Sequence, residues 1–190
     1  MGIDLLGGLV VDICGSRNDM IVARLEAKGV RCRANDCNPF VKEVDTRLDA
    51  SDPAFVGKLR DEIGRLSSTT SVTSSSTSTS LSASSAEEAT ATIVRAVVTS
   101  PPYSQMIPIL RIALQLATHY VIMKLPLSLM IVGPLQEERR NFWRQYPQHC
   151  LIPVPRGSRS NGHKLNFDEA WFVWALGSAP KPTNAFVYAL

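Results

Sequence analysis

Short apolar runs alternate with amphipathic stretches along most of the chain. "LVVDI" at 9–13 has the length and continuity of a strand buried on both faces. In residues 17–28, "RNDMIVARLEAK", Met20, Ala23, Leu25 and Ala27 follow a helical spacing, and Gly29 marks the stop. "VRCRAND" (30–36) reads as a second strand ended by Asn-Pro, and "DTRLDAS" (45–51) can hold a short third one. Pro53 suits the first turn of a helix over 53–65. Beyond residue 90 the alternation resumes. "TIVRAVVT" (92–99) predicts a strand, and 104–118 a helix carrying Ile107, Leu110, Leu114 and Ala117. "HYVIMKL" (119–125) predicts a strand and "LQEERRNFWRQY" (135–146) a helix. Two final strands follow, "HCLIPVP" (149–155) and "EAWFVWAL" (169–176), close enough in sequence to pair antiparallel. Strand alternating with helix predicts an α/β fold, a doubly wound, mainly parallel sheet covered on both faces.

The break in this pattern is compositional. Residues 67–85 are Ser or Thr except at Val72, Leu81 and Ala83. Such a run buries too little apolar surface to offset its ordering entropy, so 67–90 is expected to be a disordered loop. The halves on either side continue one alternating pattern. The loop therefore reads as an insertion within a single domain spanning 1–190, a size that 190 residues suit.

Hydrophobic residues make up 45% of the chain, enough for a core. The most apolar stretch, 121–135, is interrupted by Lys124, Pro126 and Pro134 and is too short for a membrane span. The N-terminus lacks the basic start and cleavage site of a signal peptide, and Leu6 breaks a myristoylation motif. An intracellular protein, cytoplasmic or nuclear, is the expectation. The four cysteines form no C-x-x-C pair, and the three histidines lack zinc-like spacing, so free thiols and no metal are expected. The net charge of +3 matters less than its distribution. Arg139, Arg140, Arg144, Arg156, Arg159, His163 and Lys164 crowd the last third, either as a solvated face or as a surface for phosphates.

In open α/β sheets ligands bind beyond the carboxyl ends of the strands. Three such ends are polar. "DICGSRND" places Asp12 at a strand end and Gly15 in a turn, with backbone N–H groups expected to be free for a ligand. "ANDCNP" puts Asp36 just over twenty residues further on, where an acid reaches ribose hydroxyls or simply forms a turn. Asp49, in "LDAS", is either a site residue or a cap for the helix at Pro53.

The fourth end is "TSPPY" at 99–103. It resembles the (D/N/S)PP(Y/F) motif of S-adenosylmethionine-dependent amino-methyltransferases, which modify the exocyclic nitrogen of adenine or cytosine in DNA. The order of features agrees: a glycine turn after strand one, an acid after strand two, SPPY after strand four. The downstream "VIMKLPLSLM", "RRNFWRQYP" and "FDEAWFVW" are similar to small DNA adenine methyltransferase-like proteins of phages and mobile elements. An exocyclic amine is a poor nucleophile because its lone pair is delocalised into the ring. Two rigidly held acceptors favour a pyramidal nitrogen, and Pro101 and Pro102 supply the rigidity. The Ser100 side chain and the Pro101 carbonyl are the expected acceptors, with Tyr103 stacking on the extruded base.

By the resemblance, S-adenosylmethionine is the cofactor. Asp12, Cys14 and Gly15 form its turn, Asp36 holds the ribose hydroxyls, and Asp49 neighbours the adenine. DNA is the implied partner, with RNA as another possibility, and no membrane or obligate protein partner is implied. Arg139, Arg140, Arg156, Arg159 and Lys164 are the expected phosphate contacts. Trp143, Trp171 and Trp174 read as core. Serine at position 100 is more usual in cytosine N4 enzymes, whereas the downstream likeness points to adenine, so the base stays open. Methylation of RNA or of a protein glutamine, and a non-catalytic nucleic-acid-binding relative, are the other readings.

Overall fold

A computed structural model describes residues 3–70, 93–130, 137–154 and 168–180. Its six strands are β1 (Leu9–Asp12), β2 (Arg31–Ala34), β3 (Val94–Thr99), β4 (Tyr120–Pro126), β5 (Cys150–Pro153) and β6 (Glu169–Ala175). The helices are α1 (Met20–Glu26), α2 (Phe55–Thr70), α3 (Met106–Leu116) and α4 (Glu137–Gln145). The sheet order is β2-β1-β3-β4-β6-β5. β2, β1, β3 and β4 run parallel, while β6 pairs antiparallel with both β4 and β5. The expected doubly wound, mainly parallel sheet with an antiparallel close is therefore present.

Side chains alternate across the strands into two apolar layers. Val11, Val97, Val121, Met123, Phe172 and Trp174 face α2, α3 and α4 through Phe55, Leu59, Leu110 and Phe142. Val10, Ala96, Val98, Ile122 and Val173 face the other way and pack with Val22 of α1. Continuous apolar runs, not alternating ones, are what a sheet covered on both sides requires. Trp143 stacks on Phe172 and Trp174 with ring centroids 5.8 and 6.1 Å apart. The indole N–H groups of Trp143 and Trp174 donate to the carbonyls of Leu129 and Tyr146. Trp171 packs on the opposite layer, so all three tryptophans serve the core.

Three local expectations are corrected. The stretch 45–51 is no strand: it contributes one isolated bridge, Asn35 to Thr46. α1 begins at Met20 rather than 17, because residues 16–19 are committed to loop contacts. The Ser16 N–H donates to Asp19 Oδ2 at 2.8 Å, and the Arg17 guanidinium reaches Asp45 Oδ1 at 2.7 Å. The face of α1 that packs on the sheet is accordingly the buried Val22 with the half-buried Ile21 and Leu25, and Met20 is exposed. α2 begins at Phe55, behind Pro53, and continues to Thr70, into the Ser/Thr-rich run whose remainder lies outside the described residues.

Candidate active site

The chain leaves β1 for β2 on one side and later enters β3 on the other, so the strand order reverses at β1. A crevice opens beyond the carboxyl ends of strands at such a point. The cavity found there has a volume of about 520 Å³. One wall is Ile13, Cys14, Asp36 and Cys37, continued by residues 48–51, and the other is Ser100, Pro101, Pro102, Tyr103, Gln105 and Ile109. Sequence positions from three separate strand ends thus meet around one space.

The diproline corner is stiff, and its acceptors are differentiated. The Pro102 carbonyl accepts from the Gln105 N–H at 3.0 Å, closing the turn that becomes a 3-10 segment at Tyr103–Gln105. Ser100 Oγ and the Pro101 carbonyl accept no hydrogen bond among the described residues. Pro101 is buried and Ser100 half-buried, so these oxygens sit at the boundary between core and cavity. Tyr103 lies at the mouth, 38% exposed, and its hydroxyl donates to Glu169 Oε1 at 2.5 Å.

On the opposite wall, Asp36 Oδ1 accepts from the Asn38 N–H at 2.8 Å. That makes Asp36 a turn former and a cavity residue at once, since its second oxygen accepts nothing among the described residues. Asp49 Oδ1 accepts from both the N–H and the hydroxyl of Ser51, and these bonds hold its carboxyl below the usual range. Asp49 is no helix cap. Asp52, through the Ala54 N–H, is the acid that orders the approach to α2.

Asp12 lies under the cavity instead of on its surface, at 2% exposure. Its Oδ1 accepts from Thr99 Oγ1 at 2.7 Å and from the Cys14 N–H at 3.1 Å. Oδ2 is buried with no hydrogen-bond partner among the described residues. Burial pushes the Asp12 carboxyl up to about 7, against the opposing pull of the Thr99 and Cys14 hydrogen bonds. The Cys14 thiol is likewise pushed up, by burial first and then by Asp12. Gly15 is required by this packing: a Cβ there would stand 2.4 Å from Asp12 Oδ2.

The expectation of free N–H groups in this turn is overturned. The N–H groups of Cys14, Gly15, Ser16 and Arg17 donate to Asp12 Oδ1, the Asn35 carbonyl, Asp19 Oδ2 and the Glu43 carbonyl. The turn is not the first turn of a helix, so its donors are spent on the neighbouring loops before α1 begins.

Asn35 is the residue that the sequence reading passed over. It is fully buried, and its side chain donates to the Ile13 and Leu48 carbonyls and accepts from Thr46 Oγ1 and the Leu48 N–H. It joins the end of β1 to the 46–48 segment and so holds the Asp36–Asp49 wall together. In the sequence Asn35 is only the penultimate residue of the expected strand 30–36, and nothing local marks its side chain as a buried hub.

Of the expected phosphate contacts, Arg139 and Arg140 lie half-buried on α4 and do not line the cavity. Arg156, Arg159 and Lys164 lie outside the described residues. All four cysteines are free thiols. Among the described residues no cluster of His, Cys, Asp and Glu is arranged to hold a metal. No described helix is long and apolar enough to cross a membrane.

No protein-family model matches the chain, and no curated protein matches it. Solved structures with a similar course include a Listeria monocytogenes protein assigned to the class I S-adenosylmethionine-dependent methyltransferases. It has 11% identity and a TM-score of 0.49 over 93% of this chain and 57% of its own. The Dnmt2 methyltransferase of S. pombe follows at 14% identity and a TM-score of 0.48, over 93% and 51%. A human methyltransferase 10 domain-containing protein has 13% identity and a TM-score of 0.41, over 89% and 72%. The chain spans a little over half the length of the first two.

Proposed function

We propose that the chain transfers a methyl group from S-adenosylmethionine to an exocyclic amino nitrogen of a base in DNA, adenine N6 or cytosine N4. The observation that carries this reading is the composition of one cavity. Ser100 and Pro101, whose Oγ and carbonyl accept no hydrogen bond among the described residues, line the same cavity as Asp36 and Asp49. A volume of about 520 Å³ is within the range of small-molecule sites.

S-adenosylmethionine, when bound, supplies an electrophilic methyl group on a sulfonium. Asp36 has one carboxylate oxygen fixed by its own turn and the other open to a ribose diol. Leu48, Asp49 and Ala50 offer an apolar and acidic edge for an adenine ring. Ser100 Oγ and the Pro101 carbonyl accept the two hydrogens of the target amine. That draws the nitrogen toward a pyramidal form whose lone pair is available for attack. Tyr103 provides a ring face for the base. The basic residues of the last third supply attraction for phosphates.

Two measurements test the reading. Calorimetric titration with S-adenosylhomocysteine is expected to show binding that Asp36→Ala weakens roughly tenfold or more, as the loss of a charged hydrogen bond implies. Incubation with methyl-labelled cofactor and DNA, RNA or protein, followed by nucleoside analysis, is expected to place label on N6-methyladenine or N4-methylcytosine. Label on RNA or glutamine alone, or binding without transfer to any of them, rejects the DNA reading.

A further inference from the structure

Tyr103 stands on a short 3-10 segment at the mouth of the cavity, 38% exposed. Its hydroxyl is nevertheless anchored on the central sheet. The acceptor is Oε1 of Glu169, the first residue of β6, which is 3% exposed. The other carboxylate oxygen, Oε2, lies 3.4 Å from Lys124 Nζ of β4, an ion-pair contact outside hydrogen-bond geometry. β4 and β6 run antiparallel with Pro126 opposite Glu169 and Lys124 opposite Trp171, so Lys124 is the diagonal neighbour of Glu169 on one face. Two adjacent strands therefore hold the carboxylate, and the carboxylate holds the phenol.

We propose that Glu169, steadied by Lys124, is a positioning residue that fixes the Tyr103 ring as a wall of the cavity. This rests on the proposed role of Tyr103 as a stacking surface. A site built on strands holds its geometry better than one built on a loop, and a misplaced stacking surface forfeits rate. Burial, and then the Glu169 carboxylate, push the Tyr103 phenol upward, in keeping with a locked phenol beside an anion.

The test has two arms. In protein labelled with 3-fluorotyrosine, the Tyr103 resonance is identified by its loss in Tyr103→Phe and followed through a pH titration by fluorine NMR. Glu169→Ala is expected to lower the pH of its ionisation by at least about one unit, since both burial contacts and the anion's repulsion are lost. An unchanged titration overturns the anchor. In the methyl-transfer assay, Glu169→Ala and Tyr103→Phe are each expected to lower turnover about tenfold with cofactor KM unchanged. The double variant should be no slower than either single one, and Glu169→Gln, which keeps an acceptor, should recover most of the rate. Additive losses of about a hundredfold overturn the positioning role. Should the unaltered protein transfer no methyl group, the proposed activity fails, and the fluorine titration alone decides the Glu169 anchor.

Discussion

Asn35→Ala isolates the join between the two strand ends and the loop that forms the acidic wall. Asn35 is fully buried and uses its whole side chain: Nδ2 to the Ile13 carbonyl at 3.0 Å and the Leu48 carbonyl at 2.9 Å, Oδ1 from Thr46 Oγ1 at 2.8 Å and the Leu48 N–H at 2.9 Å. A hydrogen bond is worth about 1 kcal/mol net, and a stranded buried partner costs more. Four bonds give a loss of about 4 kcal/mol. Domains commonly hold about 5–15 kcal/mol in total, so the variant should remain folded but marginal. Urea unfolding followed by tryptophan fluorescence measures this directly. At a slope of about 2 kcal/mol/M the midpoint should fall by about 2 M, with the slope itself unchanged. Asn35→Asp separates hydrogen bonding from space filling. It keeps both acceptors but sets a carboxylate against two carbonyl oxygens, so it should be as damaging as alanine at pH 8 and less so in acid, where protonation restores one donor. A loss under about 1 kcal/mol for Asn35→Ala would show that the loop is held by packing and refute the reasoning.

Two further outcomes come from the ground beneath the cavity. The Asp12 carboxyl is raised in the folded protein to about 7 from an ordinary 3.8, so the folded chain keeps a proton that the unfolded chain releases in between. The stability this contributes is complete below about pH 4 and lost as pH rises to about 7, a change on the order of 4 kcal/mol. Asp12→Asn should flatten that slope, matching the unaltered protein at pH 4 and exceeding it at pH 8 in urea midpoints; an unaltered slope rejects the assignment. Gly15→Ala places a Cβ 2.4 Å from Asp12 Oδ2, 2.8 Å from its Cγ and 3.0 Å from Asp19 Oδ2. It should cost about 1–3 kcal/mol in thermal or urea unfolding, and less in an Asp12→Ala background, where two of the three atoms are gone.

Fold class was legible because the relevant signal is long and repeated. Runs such as "LVV" and "WFVW" are apolar at consecutive positions, as strands of a sheet covered on both faces require. The strand-to-turn order at TSPPY was likewise legible, since two prolines after a buried run leave few conformations. What escaped were features set by contacts distant in sequence. The N-terminal end of α1 is decided by Arg17 reaching Asp45, 28 residues away, and no local spacing records that pair. The stretch 45–51 has strand-like composition. Its polar groups go instead to Asn35 and Ala34, through the Thr46 hydroxyl, the Leu48 N–H and the Asp45 carboxylate. The anchoring of Tyr103 by Glu169 spans 66 residues and joins a turn to the first position of the last strand. A lone Glu before "AWFVW" carries no sign of it.

Thr99 shows why the corner and the glycine turn belong to one device. As a sequence position it only completes a strand. In the fold it is fully buried, and its hydroxyl donates to Asp12 Oδ1, while the same oxygen accepts the Cys14 N–H. Cys14 lines one side of the cavity and Ser100, the residue after Thr99, lines the other. A single carboxylate oxygen therefore sets how far apart the two walls stand at their base. β1 and β3 are adjacent parallel strands, so the ladder fixes their spacing up to Val11 and Val97, and the Thr99–Asp12–Cys14 link extends that control past the end of the ladder. In the methyl transfer proposed above, a small misplacement of donor against acceptor would cost rate. The cost of keeping in the core a carboxyl with one oxygen unpartnered among the described residues is then intelligible as the cost of a rigid gap.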